Sequence, residues 1–180
     1  MKLLFVAILS LFVVSAHAPL ALAASAGSID TNVQHTLNRF FAKVTNGREL
    51  ANKAEAVLVF PSIVKAGFGI GGEFGEGALH IRGATAGYYN IVGASIGFQI
   101  GVQTRSVIIM FMTSGALASF QSRAGWEVGV DGSVALLTVG AGGALDTNNV
   151  LDPIIGFVFN NKGLMYNLTL EGSKISRINP

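Results

Sequence analysis

Two glycine motifs come closest to a known chemical signature. The first, Gly67–Gly72, reads GFGIGG and follows an apolar run, which matches the G-x-G-x-x-G pattern of dinucleotide-binding proteins. That pattern requires a helix to begin at the motif, because the helix N-terminus binds the pyrophosphate. Here Glu73 and Glu76 follow directly, and their carboxylates would repel phosphate in a segment that is a poor helix start. The sequence therefore does not predict a nucleotide site.

The second motif, Gly93–Gly97, reads GASIG and matches the G-x-S-x-G pattern that presents a nucleophilic serine. In hydrolases of this kind the serine stands on a strand-to-helix turn, and the histidine of the triad follows it in the chain. All three histidines of this chain precede the serine instead: His17, His35 and His80. The residues on both sides of Ser95 favour a strand. We therefore predict that Ser95 is not a nucleophile and that the protein is not an enzyme.

Carboxylate pairs and metal ligands give no stronger indication of chemistry. Close carboxylate pairs occur as Glu73 with Glu76 and as Glu127 with Asp131. The second pair alternates with apolar residues, as on the solvent face of a half-buried strand. The chain has no cysteine, and its three histidines do not have the spacing of metal ligands. We predict neither a metal nor a cofactor.

Composition excludes two further classes of protein. Hydrophobic residues make up 51% of the chain and charged residues only 12%, whereas disordered chains combine low hydrophobicity with high net charge. The formal net charge is +2, which is too small to indicate nucleic-acid binding despite an isoelectric point near 9.1. We expect a folded domain that does not bind nucleic acid.

The N-terminal residues have the organisation of a secretory signal peptide. A lysine precedes the apolar run Leu3–Ala16, which is too short to cross a bilayer, since a spanning helix needs roughly 20 residues. Cleavage after Ala23 fits the small-residue rule best, cleavage after Ala26 is the alternative, and the short apolar run disfavours an uncleaved anchor. We predict a signal peptide over residues 1–23, a single domain over residues 24–180, and export to the periplasm or envelope.

Residues 28–54 have the pattern of two helices, the first with an apolar stripe at helical spacing. Ser28 is a suitable N-cap for the first helix, and Gly47 is a suitable stop. Asn46 with Glu49 resembles the capping box of a second, short helix. The stripe either packs on a core or lies on a membrane surface. We favour core packing, because the amphipathic helices of globular domains usually face their own core.

From Ala56 onward the sequence is rich in strand-forming residues and glycine. Residues 67–172 contain 21 of the 23 glycines, several of them at period two or four, so that they share one face of a strand. Repeated glycines in strands indicate close backbone approach, bulges or sharp bending. The predicted strands are Val57–Phe60, Phe68–Leu79, Ala84–Val92, Ile96–Val102, Val107–Met112, Trp126–Val139, Ile154–Asn160 and Leu164–Leu170, with a short helix at Gly115–Arg123 and a hairpin loop at Asn161–Gly163. These elements predict an α+β fold, in which N-terminal helices pack on a glycine-rich, strongly curved, mainly antiparallel sheet, barrel-like or sandwich-like.

Five blocks of the sequence resemble the SYLF-domain family. They are Ala56–Gly77, Gly125–Gly129, Ile155–Phe159, Lys162–Met165 and Leu168–Ile175, and the resemblance covers residues 35–178. The first and last blocks are long and specific. The family is associated with phospholipid binding: phosphoinositides and cortical actin in eukaryotic members, and membrane lipids in exported bacterial members. The predicted signal peptide indicates the bacterial branch.

The resemblance implies a partner, namely an anionic phospholipid or a membrane surface. Lipid binding needs cations near an apolar surface, each contributing roughly 1 kcal/mol at an anionic leaflet. The candidate cations are Lys43, Arg48, Lys53 and Lys65 around the junction of helices and sheet, with Arg82 and Arg105 near strand ends. The alternative is a structural or partner-binding envelope protein, whose apolar surface contacts another protein.

Overall fold

The computed structural model describes residues 24–138, 152–162 and 170–180, with the backbone alone at residues 68, 69, 95–100 and 138. Its elements are α1 (Ala26–Lys43), α2 (Gly47–Lys53), β1 (Ala56–Ile81), β2 (Ala84–Phe111), α3 (Ser114–Gln121), β3 (Gly125–Glu127), β4 (Ala135–Thr138), β5 (Ile154–Lys162) and β6 (Lys174–Ile178). The α+β class and the short helix after β2 are confirmed. The predicted signal peptide, and all but the last residue of the predicted strand Leu164–Leu170, lie outside the described residues.

The described strands form one curled sheet with β2 at its centre. β2 pairs with β1 along almost its whole length, with β6 at residues 88–92 and with β5 at residues 104–111. β3 pairs with β6, and every pair is antiparallel except the one between β4 and β5. The sheet curls into a half-barrel. The predicted curved, mainly antiparallel sheet is therefore confirmed.

β1 folds back on itself near its middle, and glycines permit the close approach of its two halves. A Cβ on Gly77 would collide with the backbone carbonyl oxygen of Val59, and one on Gly75 would lie 2.8 Å from a carbonyl oxygen of the other half. At the bend itself, a Cβ on Gly67 would lie 2.6 Å from the Cα of Gly71. Real Cβ atoms do not come this close to backbone atoms, so a side chain would force the halves apart. The close backbone approach that the glycine spacing predicts is confirmed.

Apolar side chains pack on both faces of the sheet. One face packs against α3 and against Trp126, whose ring centroid lies 5.8 Å from that of Phe120. The other face, called the α1 face below, packs against α1, where the ring of Phe40 lies 4.9 Å from that of Phe157. The buried residues of α1 are Ile29, Val33, Thr36, Leu37 and Phe40. The apolar stripe of the first helix thus packs on the core, as we favoured.

The helix boundaries differ from the prediction at three positions. Ser25, not Ser28, is the N-cap of α1, because its Oγ accepts the backbone N–H of Ser28 at 3.4 Å. Gly47 begins α2 and does not end α1; a Cβ there would lie 2.9 Å from the ring of Phe40, which explains the glycine. Asn46 has a φ of 62° and makes no side-chain cap bond, so the predicted capping box does not form.

The predicted break between two strands at residues 103–106 is absent. β2 continues through Gln103 and Arg105, and both side chains are buried on the face opposite α1. Polar residue types in this stretch indicate a strand end, but here they find partners inside the protein. β6 was not predicted, because a five-residue strand in a polar terminus has little pattern of its own.

The predicted strand Trp126–Val139 is also wrong, because a turn divides it. β3 ends at Glu127, and β4 begins at Ala135. The carboxylate of Asp131 accepts the backbone N–H of Glu127 at 2.8 Å, and Gly129 has a φ of 89°. These local bonds compete with strand pairing and reverse the chain.

We predict that Gly77→Ala destabilises the protein by about 1–3 kcal/mol, because the new methyl group meets backbone that cannot rotate away. Gly115→Ala is the matched control, since it lies in α3 with nothing within 4 Å of its Cβ position. That change should leave stability unchanged or raise it by up to about 1 kcal/mol. Denaturant unfolding measures both values, and equal stability of the two variants would contradict the role of the close approach.

Candidate functional site

A cleft lies where the helices meet the turn of the β1–β2 hairpin. It has a volume of about 500 Å³ and combines polar with apolar walls. Its position follows from the fold of β1, because the bend brings the start and the end of that strand to the same end of the domain. The lining residues are Gln34, Leu37, Phe41, Arg48, Ala51, Asn52, Ala54, Ala56, Val57, His80, Arg82 and Gly83.

Two of the predicted cations line this cleft. Arg48 comes from the first turn of α2, and its guanidinium carbon lies 4.4 Å from the ring centroid of Phe41, in a cation–π contact. Arg82 comes from the hairpin turn, where Arg82 and Gly83 have φ values of 52° and 80°. Two successive residues with positive φ are typical of the tight turn that joins twisted antiparallel strands. The structure therefore brings together Arg48 and Arg82, which are 34 positions apart in the sequence.

A hydrogen-bonded group at the edge of the cleft joins α1 to the hairpin. The carboxylate of Asp30 accepts the hydroxyl of Thr85 at 2.9 Å and that of Tyr88 at 2.8 Å, and the same Thr85 hydroxyl lies 3.4 Å from Nε2 of His80. Burial lowers the pKa of His80, and the charge of Asp30 offsets only part of that effect. The hydrogen bond to Asp30 raises the pKa of Tyr88.

Lys43 and Lys53 are exposed but do not line the cleft. The ammonium of Lys43 donates to the side-chain oxygen of Asn160 at 2.9 Å, at the C-terminal end of α1. Lys53 pairs with Glu49 at 2.7 Å on the surface of α2, and this pairing lowers the pKa of Glu49. Neither lysine is among the residues that line the cleft, and Glu49 balances the charge of Lys53.

Lys65 and Arg105 are buried, which corrects the expectation that they are surface cations. Lys65 is 4% exposed and Arg105 is 1% exposed, and both lie on the face of the sheet opposite α1. The Arg105 guanidinium donates to the carboxylate of Glu73 at 2.7 Å, and the other oxygen of that carboxylate accepts the hydroxyl of Ser173 at 2.6 Å. Burial lowers the pKa of Arg105, and Glu73 opposes this. Arg105 also lies inside β2, not near a strand end.

A comparison with known protein families identifies the family of this chain. The family model described as Las17-binding protein actin regulator (Ysc84), which is the SYLF domain, matches residues 92–179, about half of the chain. The chain belongs to the SYLF-domain family. No curated protein matches the chain. Membership supports a binding role for this domain, with lipid or protein as the class of partner.

The two glycine motifs of this SYLF domain lie inside strands. Gly67–Gly72 belongs to β1, and Ser95 belongs to β2, where its Cα pairs with that of Gly71. No helix begins at either motif, so the structural context of a phosphate cradle or of a nucleophile elbow is absent. Within the described ranges no three potential metal ligands form a group, and no helix combines the length and the apolar character of a membrane-spanning segment.

A second surface of the SYLF domain was not predicted from the sequence. We call it the hairpin bend; it comprises residues 64–74 of β1 and 92–102 of β2. Large apolar side chains are exposed there: Val64, Ile70, Phe74, Val92 and Val102. Two exposed lysines, Lys162 and Lys174, flank it. The sequence shows apolar and polar residues side by side in both strands, but it does not show which of them face solvent.

We predict that Glu73→Gln destabilises the protein by about 3–5 kcal/mol, because it removes the carboxylate that balances the buried charge of Arg105. Glu49→Gln is the matched control, since it breaks the exposed pair with Lys53, and exposed pairs contribute little. Thermal and denaturant unfolding of both variants tests this. A Glu73→Gln protein as stable as the Glu49→Gln protein would show that the buried pair does not hold the hairpin.

Proposed function

We propose that this SYLF domain binds anionic phospholipid, without catalysing a reaction, in the envelope of a bacterium. The observation that supports this best is the cleft in which Arg48 and Arg82 lie beside the apolar side chains of Leu37, Phe41 and Val57. A phospholipid presents the same combination, a phosphate next to an apolar body.

The chemistry of the cleft suits a phosphate ester. Guanidinium groups are planar and can donate two parallel hydrogen bonds to phosphate oxygens, so two arginines in one cleft favour a doubly charged or bridging contact. The stacking of Arg48 on Phe41 holds one guanidinium in place before a ligand arrives. A volume of about 500 Å³ lies in the range of small-molecule sites, and it fits the polar end of one lipid.

The absence of catalysis is part of this proposal. The serine motif lies inside a strand, and the cleft contains one histidine, His80, with no carboxylate among its lining residues. A site with two cations, one histidine and apolar walls can hold an anion, and the Asp30 carboxylate at its edge already accepts hydrogen bonds from Thr85 and Tyr88.

Export is the second part of the proposal. The backbone N–H of Ala24 donates to the Glu76 carboxylate at 3.1 Å, and α1 begins two residues later. Cleavage after Ala23 would convert this N–H into a charged amine beside that carboxylate, so the folded domain is ready to accept the new terminus. An exported protein whose intact mass still included residues 1–23 would contradict this.

A protein partner is the second candidate function. The description of the matching family names a Las17-binding actin regulator, which is a protein-binding role. An exported bacterial protein does not meet those partners, so such a role here needs an envelope protein. Lipid titration separates the two candidates, because a domain that serves only a protein partner would bind no lipid.

We predict that Arg48→Glu/Arg82→Glu weakens the binding of soluble, short-chain phosphatidylglycerol at least tenfold, because each reversal replaces attraction with repulsion at the phosphate. Arg39→Glu/Lys53→Glu is the charge-matched control, with both changes outside the cleft. It should change the affinity by less than about threefold, since exposed charges are screened over about 10 Å at 0.1 M salt. Isothermal titration measures each affinity.

The same titration has two internal checks. Affinity should fall as salt rises, because the site relies on charge. It should rise as the pH falls toward the lowered pKa of His80, because a bound anion stabilises the protonated imidazole and so raises that pKa. His80→Gln should remove the pH effect alone. Equal affinities of the two double variants would exclude the cleft as the lipid site.

A further inference from the structure

The hairpin bend exposes apolar side chains that a soluble domain usually covers. Six large apolar side chains are exposed in the described part of the chain, and five of them belong to the bend. The largest exposures there are 74% for Ile70 and 62% for Val102. Phe74, an aromatic residue, is 49% exposed. Scattered apolar residues are ordinary on protein surfaces, but their concentration at one bend of the hairpin indicates an interaction site.

The bend also reverses the usual arrangement of polar and apolar side chains. Each of three exposed apolar residues is the chain neighbour of a buried polar one: Val64 of Lys65, Phe74 of Glu73 and Val102 of Gln103. Neighbouring side chains in a strand point to opposite faces. One face of the bend is therefore buried and polar, whereas the other face is exposed and apolar. Contact with water does not explain an exposed face of apolar side chains, whereas contact with an apolar medium does.

The exposed apolar side chains continue the α1 face of the sheet. Residues directly opposite one another in antiparallel strands share a face, and residues two apart in one strand do so too. Val102 thus lies on the same face as Ile108, and Val92 on the same face as Tyr88, both of which pack in the cluster that contains α1. Closer to the cleft α1 covers this face, so Val57 and Val59 are buried. At the bend no described element covers it.

Two lysines stand at the rim of the uncovered face. Lys162 pairs with Thr104 and Lys174 pairs with Val92, so both lie on the α1 face where β5 ends and β6 begins. Both are exposed, and the stem of Lys174 passes over Gly125. Long lysine stems can lie along apolar surface while their ammonium groups reach phosphates.

Three carboxylates near the rim have partners of their own. Glu73 is buried against Arg105, and Glu76 accepts the backbone N–H of Ala24. Glu171 lies near the backbone of Gly129 and also has partners of its own. Glu127 pairs with Lys174 in the register of β3 and β6, so it shares the α1 face and offsets part of the charge of Lys174. Lys162 adds a further positive charge, which complements an anionic surface.

We propose that the hairpin bend enters the surface of an anionic bilayer, with its apolar side chains at the boundary of headgroups and acyl chains and with Lys162 and Lys174 at the phosphates. This rests on the proposed lipid function but uses a different surface. Ten residues of strand separate Val57 at the cleft from Gly67 at the bend, and no residue of the bend lines the cleft, so the two surfaces are distinct. We assign the bilayer to the bend and a single lipid to the cleft.

Single-cysteine labelling tests which surface enters the bilayer, because the chain has no cysteine of its own. Ile70→Cys and Val130→Cys form a matched pair, since both native side chains are 74% exposed and Val130 lies in the turn between β3 and β4. Each full-length variant carries an environment-sensitive dye and is mixed with phosphatidylglycerol vesicles whose acyl chains are brominated. The dye at position 70 should shift to shorter wavelength and be quenched, and the dye at position 130 should do neither. The reverse result, or equal quenching, overturns the proposal.

Charge and hydrophobicity variants give an independent measurement. Ile70→Asp should weaken binding to phosphatidylglycerol vesicles at least tenfold, whereas Val130→Asp should not, because only the first moves a charge into the acyl boundary. Lys162→Glu/Lys174→Glu should weaken binding to phosphatidylglycerol vesicles and should leave any residual binding to phosphatidylcholine vesicles unchanged. Far-ultraviolet circular dichroism shows whether each variant is folded, and an unfolded one is replaced by Ile70→Ser or Lys162→Gln/Lys174→Gln.

The outcomes separate this proposal from the proposed function. If Ile70→Asp leaves vesicle binding unchanged, the proposal for the hairpin bend is overturned. The proposal for the cleft is not affected, because the titration with short-chain lipid tests it. If the native protein binds neither vesicles nor short-chain lipid, both proposals are overturned. Concentration-dependent association of the native protein that Ile70→Asp abolishes, without any vesicle binding, would show that a second copy of the chain covers the bend instead.

Discussion

Contact between the two halves of β1 is the constraint on which the rest of the structure depends. Because glycine leaves room at Gly75 and Gly77, the second half of a 26-residue strand can return beside the first. The return brings Val57 and Arg82 to one end, where α2 completes a cleft. It also leaves the hairpin bend at the other end, beyond the reach of α1. One backbone approach therefore creates both surfaces and fixes the distance between them.

The buried pair of Glu73 and Arg105 supports the same arrangement from within. The two residues lie on different strands of the hairpin, and Ser173 joins them from the start of β6. Desolvating two charges is costly unless geometry and additional hydrogen bonds compensate, and here short contacts reach both oxygens of the carboxylate. The buried polar groups on the inner face of the bend specify the strand register there, in place of a hydrophobic core. The outer face is therefore not needed to set the register, and its side chains can be apolar and exposed.

Much of the fold could be predicted from periodicity, since the apolar stripe of α1 and the spacing of the glycines report local geometry. The site could be predicted only in part. Arg82 was expected near a strand end and lies in the turn between β1 and β2. The burial of Lys65 depends on a bulge between Phe60 and Ile63, which changes which side chains of β1 face inward. The burial of Arg105 depends on a carboxylate 32 residues away, and sequence spacing does not reveal such a partner. The exposure of the apolar side chains at the hairpin bend depends on where α1 stops covering the sheet, and sequence patterns do not reveal how far a helix extends over a sheet.

The pairing of β2 with β6 has a consequence for the order in which the domain is completed. Among the described strands, residues 88–92 gain their second neighbour only from residues 174–178, which are synthesised more than 80 residues later. Until then the central strand has a bare edge, which can pair with other chains. The hairpin itself forms from contacts around a two-residue turn and folds early, whereas closure of the sheet waits for β6. Removing residues 174–178 therefore exposes an edge of the central strand, and we expect aggregation to be its main effect.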